Sequence, residues 1–277
     1  MRFLIFGDQG LIGTEIKKQI KGEFVGVDKN IDSIPAGQFD CIIHLAANCI
    51  IREVIENPEL ARDNILITHE IFELAREKNI KKIIYFSSSR VLNKELNPYS
   101  ASKLYGENLC KAYKDCYGID YIIIRPETVW SMEDKHKRVI TAWIEAAKQN
   151  KDIVIYGNKD KELSPIHVES FVKEFIPILN NFVEGKEHKN IYVIAGMPIN
   201  VMELIEKIKK HFNSKSHVVM MKAEITQPQT KLMMDTFIDD FDEYLSRIFY
   251  CQNCNELVYF GTEECKNGHK QLWGLFG

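Results

Sequence analysis

Proline is scarce in this chain, 8 in 277 residues, no block of like charge stands out, and no long apolar run interrupts it. So little proline, with 15 glycines, 45% hydrophobic and 27% charged residues, excludes collagen, a low-complexity linker and a disordered charged tail. The 39 acids and 36 bases nearly cancel, to a net charge of −3, so no electrostatic footprint for nucleic acid is visible. No stretch approaches the roughly 18 apolar residues of a membrane span. The apolar start, residues 1–7, is too short for a signal-peptide core. These absences predict a cytoplasmic protein with neither membrane nor nucleic acid as partner. Length allows one large domain or two small ones. Cys41, Cys49, Cys110 and Cys116 are scattered and read as buried, reduced thiols, whereas Cys251, Cys254 and Cys265 crowd into the last 27 residues.

What is present is alternation. Short β-rich runs at 3–6, 23–27, 41–45, 81–86 and 121–124 are separated by helical patterns at 11–20, 57–79 and 101–117. Continuous apolar strands divided by helices predict a parallel sheet covered on both faces, a doubly wound (Rossmann) α/β fold. After Arg125-Pro126 the pattern loosens. Helices are expected at 139–150, 170–179, 201–212 and 237–249, and strands at 152–156, 190–194 and 218–221. The chain divides into a dinucleotide-binding domain at 1–125, with part of 150–200 interleaved, a smaller substrate lobe at 126–246 and a tail at 247–277.

Gly7-x2-Gly10-x2-Gly13 follows the first strand and opens the first helix. Glycines there permit a tight turn, close backbone approach to a pyrophosphate and close helix–strand packing, and the helix N-terminus faces the anion. Gly7, Gln9, Gly10, Leu11, Ile12 and Gly13 are therefore candidate cofactor contacts. Asp28 ends the second strand, 15 residues after Gly13, where a carboxylate binds a ribose 2′-OH and repels a 2′-phosphate. That favours NAD over NADP.

Tyr99 and Lys103 lie four apart and share a helix face. An ammonium beside the phenol, with the positive nicotinamide ring, lowers its pKa toward neutrality, so Tyr99 is a candidate general acid/base. Ser87-Ser88-Ser89 follows a strand, at the sheet edge where doubly wound folds bind ligands.

Together these segments resemble the extended short-chain dehydrogenase/reductase family, the NAD-dependent epimerase/dehydratase group that acts on nucleotide sugars. The resemblance covers residues 1–210. It rests on the glycine loop, Asp28, His44-Leu45-Ala46-Ala47, Asn57-Pro58 with Asn64, Phe86-Ser87-Ser88-Ser89, Tyr99-x3-Lys103, Arg125-Pro126 and Pro165-Ile166-His167-Val168. It implies a catalytic set of Tyr99, Lys103 and Ser88, and places Leu45, Ala46 and Ala47 along the cofactor. It also implies a homodimer, a nucleotide-sugar substrate and a role in surface-polysaccharide synthesis, and gives His167 a mainly structural part.

Departures narrow the chemistry. Only 11 residues separate Asp28 from Asp40, where the family usually has a helix and a strand, so the adenine side is trimmed. Only 10 residues lie between Ser88 and Tyr99, a shortened substrate loop. Ser89-Arg90 replaces the Asp-Glu pair of the 4,6-dehydratases, which disfavours a dehydratase, and Glu127 stands where a substrate-contacting run is usual. What remains is hydride transfer at a sugar carbon: an epimerase returns the hydride to the other face, and a reductase stops. The compact size also resembles deoxysugar reductases.

The tail is foreign to the family pattern. Cys251-x2-Cys254, then Cys265-x3-His269, supplies three thiols and an imidazole, a donor set for a structural zinc ion. The rival reading of the whole chain is a catalytically idle NAD-binding protein whose zinc tail docks a partner. A nucleic-acid role for the tail is countered by its charge balance, three bases against three acids over 247–277.

Overall fold

A computed structural model describes residues 1–27, 34–94, 96–222, 234–236, 238–251, 253–254, 256–259, 262 and 264–270. Its first half runs β1 (Arg2–Phe6), α1 (Leu11–Gln19), β2 (Glu23–Val27), β3 (Cys41–His44), α2 (Ile51–Glu56), α3 (Glu59–Glu77), β4 (Lys82–Phe86), α4 (Pro98–Tyr117) and β5 (Asp120–Pro126). The second half continues with β6 (Thr128–Trp130), α5 (Val139–Lys148), β7 (Ile153–Tyr156), β8 (Glu162–Leu163), β9 (Pro165–His167), α6 (Val168–Val183) and β10 (Ile191–Ile194). Then come β11 (Ile199–Asn200), α7 (Val201–His211), β12 (Val218–Met221), α8 (Phe241–Ser246), β13 (Ile248–Tyr250) and β14 (Leu257–Tyr259).

Six strands form one parallel sheet in the order β10-β5-β4-β3-β1-β2. The apolar strands alternate between its faces. Phe3, Ile5, Ile43, Ile84 and Ile122 pack with Ile16 of α1 and with Phe171, Phe175, Leu179 and Phe182 of α6. Leu4, Phe6, Ile42, Ile83 and Ile123 pack with Ile71 and Phe72 of α3 and with Cys110 and Tyr113 of α4. A strand buried on both faces can be apolar at every position, which is why these runs are continuous rather than alternating.

The chain leaves β1 toward β2, then crosses back to place β3 on the other side. Reversal of winding opens a crevice at the carboxyl ends of β1 and β3, the usual ligand position in such sheets. Among the described residues β2 is the sheet edge.

A separate core lies beyond β5. Trp130, Trp143, Ile144, Ile153, Leu204, Ile205, Tyr244 and Ile248 join α5, α7, α8 and the β7–β12 pair. Two expectations change here. The helix expected over 237–249 is only α8, and the chain then enters β13, paired antiparallel with β14. Antiparallel pairing satisfies the backbone while turning the chain at Cys251, which a helix continued to 249 could not do. The helix expected from 101 begins at Pro98, because Asn97 caps it, its side chain accepting the Ser100 N–H at 2.9 Å. That extra turn puts Tyr99 inside α4.

Helix α4 lies close on the sheet because Gly106 faces Tyr85. A Cβ at Gly106 would run into the Tyr85 ring, which is fully buried and cannot withdraw. Gly106→Ala is therefore expected to destabilise the protein by about 1–3 kcal/mol through overpacking. Denaturant unfolding checks this, and an unchanged midpoint would refute the close approach.

Candidate functional site

Two loops meet at the crevice. Gly7 has φ +84, and a Cβ there would lie 2.8 Å from the Ala46 nitrogen. A Cβ at Gly13 would lie 2.6 Å from the Gly7 carbonyl oxygen. Positive φ and absent side chains thus bring the loop after β1, the start of α1 and the loop after β3 into backbone contact. Gly10 caps α1 with no side-chain acceptor. A helix N-terminus capped this way, floored by glycine backbone, fits a pyrophosphate. Gly7, Gly10 and Gly13 form this cradle with Leu11 and Ile12 in the first turn, while Leu45, Ala46 and Ala47 border it from β3, all three half-buried. Gln9 is exposed, its amide donating to Asp8 at 3.2 Å. Asp28 lies outside the described residues.

Asp8 is a residue the motif reading missed. Its side chain is buried, accepts from Lys17 Nζ at 2.5 Å and leaves no room for a Cβ at Gly26 of β2. The sequence signal was the i, i+9 pairing of an acid and a lysine, visible only once the turn of α1 is known.

The second half of the site stands at the carboxyl end of β4. Ser87 Oγ donates to Glu107 Oε1 at 2.6 Å, and Arg125 grips the same carboxylate through Nε at 2.8 Å and Nη2 at 2.6 Å. Ser87 is thereby committed to structure. Ser88 is buried as well: its Oγ accepts the Arg90 N–H at 3.2 Å, and its hydroxyl acts to lower the pKa of the Tyr99 phenol. Ser89 is buried in the short turn Ser89–Leu92. Lys103 Nζ donates to the Phe86 carbonyl at 2.9 Å and sits 5.3 Å from the Tyr85 ring centre. The structure therefore brings Ser88, Tyr99 and Lys103 to one strand end.

The phenol does not lie near neutrality in the protein by itself. Burial pushes Tyr99 up to about 12, with the charge of Cys49 adding to it; the Ser88 hydrogen bond and the charges of Arg138 and Arg90 oppose this only in part. The sequence reading weighed the ammonium and left out desolvation, the larger effect. Burial also lowers Lys103 to about 8, with the Cys49 charge opposing. Cys49, Arg90 and Arg138 carry no motif, and they reach the site from three separate segments. Arg138 is held by Asp134 at 2.7 Å, and Arg90 lies 3.9 Å from Glu127.

Other quoted residues are scaffold. His44 Nε2 pairs with Thr68 Oγ1 at 2.9 Å, and Asn64 pins the Asn48 backbone, accepting at 2.7 Å and donating at 3.1 Å. His167 caps α6, stacks on Tyr244 at 3.7 Å between centres and is lowered by burial to about 3, so it stays neutral. Far along the chain, Cys251, Cys254, Cys265 and His269 bring their ligand atoms within 4.8 Å of one another.

A doubly wound parallel sheet, with a glycine cradle at its winding reversal and a Tyr-x3-Lys helix across from it, defines a dinucleotide-binding α/β protein. The sequence model of the NAD dependent epimerase/dehydratase family matches residues 3–195, and the chain belongs to that family. A provisionally assigned UDP-glucose 4-epimerase of Methanocaldococcus jannaschii is 28% identical over 221 residues, 72% of this chain and 71% of its own. Among solved structures, the UDP-N-acetylglucosamine 4-epimerase of Methanobrevibacter ruminantium, in complex with UDP-N-acetylmuramic acid, superposes with a TM-score of 0.72. It is 20% identical and covers 88% of this chain and 96% of its own. The UDP-glucuronic acid 4-epimerase of Bacillus cereus, in complex with UDP-glucuronic acid and NAD, also gives 0.72. It is 18% identical over 86% of this chain and 90% of its own. At such identities these likenesses establish the fold. No helix among the described residues is long and apolar enough to cross a membrane.

The lowered Lys103 predicts a pH effect. Its folded pKa of about 8 lies below the ordinary 10.5, so between those values the unfolded chain holds more protons. Stability from this group therefore rises with pH across that window. The stability of the wild type minus that of Lys103→Met is expected to climb from pH 8 to 10.5 by at most about 3 kcal/mol. Urea unfolding at several pH values measures it, and a flat or falling difference would contradict the burial of a titrating amine.

Proposed function

We propose that this chain is an NAD-dependent nucleotide-sugar epimerase or reductase, with Tyr99 as the general acid/base. The observation that carries this reading is the convergence at the end of β4 of Ser88, of the buried Tyr99 phenol on which Ser88 acts, and of Lys103, anchored to the Phe86 carbonyl from the next turn of the same helix. The dehydrogenase-like cradle could exist in a sensor protein; a phenol paired with a hydroxyl at the ligand edge is a proton-handling device.

In this reading Gly7, Gly10, Leu11, Ile12 and Gly13 hold the pyrophosphate with backbone N–H groups, Gln9 borders it, and Leu45, Ala46 and Ala47 line the dinucleotide. Asp28 receives the adenosine ribose. When bound, NAD supplies the hydride acceptor and a positive ring that draws the phenol down from its high value. Tyr99 then takes the proton from a sugar hydroxyl as the C–H bond beside it is broken. Ser88 donates to the same oxygen and keeps it oriented. Lys103 holds the ribose and adds positive charge. In an epimerase Tyr99 would give that proton back as the hydride returns to the other face of the carbon; in a reductase, which starts from a ketone and bound NADH, Tyr99 would only give a proton to the carbonyl oxygen as its carbon receives the hydride. Arg90 and Arg138, whose charges both act on the phenol, suit a substrate carrying a pyrophosphate. Ser89-Arg90 offers no acid pair for a β-elimination, so a dehydratase is disfavoured. The substrate lobe, 126–246, covers the sugar.

The test is incubation with NAD, or with NADH, and a panel of nucleotide sugars, read by absorbance and NMR. Turnover of at least one sugar is expected, and Tyr99→Phe is expected to lower kcat by about 10²–10⁴-fold. Unchanged turnover in that variant would remove Tyr99 from the chemistry.

A further inference from the structure

The C-terminal hairpin takes no part in this chemistry. At the end of β13 the Cys251 N–H donates to the Glu256 carbonyl at 2.8 Å, closing a turn that carries Cys254 back toward it. A second turn is closed by the Cys265 N–H on the His269 carbonyl at 3.0 Å and the Gly268 N–H on the Cys265 carbonyl at 2.9 Å. Gly268 takes φ +72 there, a backbone shape that glycine adopts freely. The two turns face each other.

Their ligand atoms all lie within 4.8 Å of one another, and three pairs stand at the separations a single small cation imposes. Cys251 Sγ lies 3.7 Å from His269 Nδ1, Cys254 Sγ 3.6 Å from Cys265 Sγ, and Cys265 Sγ 3.6 Å from His269 Nδ1. A tetrahedral zinc ion, with sulfur at about 2.3 Å and nitrogen at about 2.0–2.1 Å, sets ligand-to-ligand edges of about 3.5–3.8 Å. A disulfide needs about 2.0 Å between sulfurs, so these thiols are not placed as a bridge. Cys251 and Cys265 are buried.

We propose that Cys251, Cys254, Cys265 and His269 bind one Zn²⁺ as a closed structural site that ties the β13–β14 hairpin to the turn at 265–269. Three thiolates and an imidazole in a tetrahedron select zinc over hard cations. Four protein ligands fill the coordination sphere and leave no place for a reacting water. The need for the ion is physical. The hairpin's own core is Cys251, Val258 and Cys265 with Phe249 and Cys254, too small to hold a fold unaided. The hairpin in turn braces the lobe. Ile248 and Leu257 enter the lobe's core, His211 Nε2 meets the Ile248 carbonyl at 3.1 Å, and the Tyr250 ring packs on Phe212 beneath Lys148 Nζ at 3.3 Å. Metal binding therefore orders a segment that touches both α5 and α7.

The test is metal analysis of the full-length protein purified without chelator. One zinc per chain is expected, and Cys251→Ser/Cys254→Ser should hold none while still binding NAD as the wild type does. Cobalt substitution should give the intense visible absorption of a tetrahedral thiolate site, and chelation should lower the melting temperature. Protein that neither contains zinc nor takes it up on titration, iron in its place, zinc kept by the double variant, or a weak octahedral cobalt spectrum would each overturn the proposal.

Discussion

Everything at the reacting edge depends on how α4 is fastened to the sheet. Glu107 accepts from Ser87 and from both arms of Arg125, and Lys103 donates to the Phe86 carbonyl, so β4, β5 and α4 share one buried polar cluster. A carboxylate and a guanidinium with side-chain exposures of 4% and 14% persist only because each is paired and hydrogen-bonded. Loss of one partner would strand a buried charge. With α4 so fixed, Tyr99 stands one turn before Lys103, buried against Val54 and Ala61 and within the influence of Ser88. Gly106 serves the same end by letting the helix settle on Tyr85.

The opposite wall of the crevice is built by a different means. There, side chains are removed rather than paired: Gly7 and Gly13 let backbone meet backbone, and the start of α1 supplies the dipole and N–H groups. One wall holds charge-bearing side chains in a rigid polar lattice, and the other presents bare backbone. Under the proposed function, the bare-backbone wall would take the pyrophosphate of a dinucleotide and the polar wall would face its reactive ring.

Local rules carried much of this into the sequence. The glycine loop and the Tyr99–Lys103 spacing were legible because a tight turn and a helix face are each set by residues within one or two turns. The strands were legible because double burial leaves continuous apolar runs. Glu107 was overlooked although it stands four residues after Lys103, since no motif marks a helix carboxylate whose partners come from elsewhere, Ser87 just after β4 and Arg125 in β5. Cys49, Arg90 and Arg138 were overlooked for the same reason, as was the desolvation that lifts Tyr99, which depends on what covers the ring. Residues 248 and 249 read as helix because so short an apolar run cannot distinguish the two periods; pairing with β14 decided it. The cysteine spacing, by contrast, announced the convergence at the tail from sequence alone.

The most direct measurement is a crystal structure of the protein with NAD and a turnover-competent nucleotide sugar. The account predicts the dinucleotide lying across the glycine cradle, with the Tyr99 and Ser88 hydroxyls both in hydrogen-bond contact with one sugar oxygen. A sugar oxygen held by other groups, with the Tyr99 ring turned away from it, would contradict it.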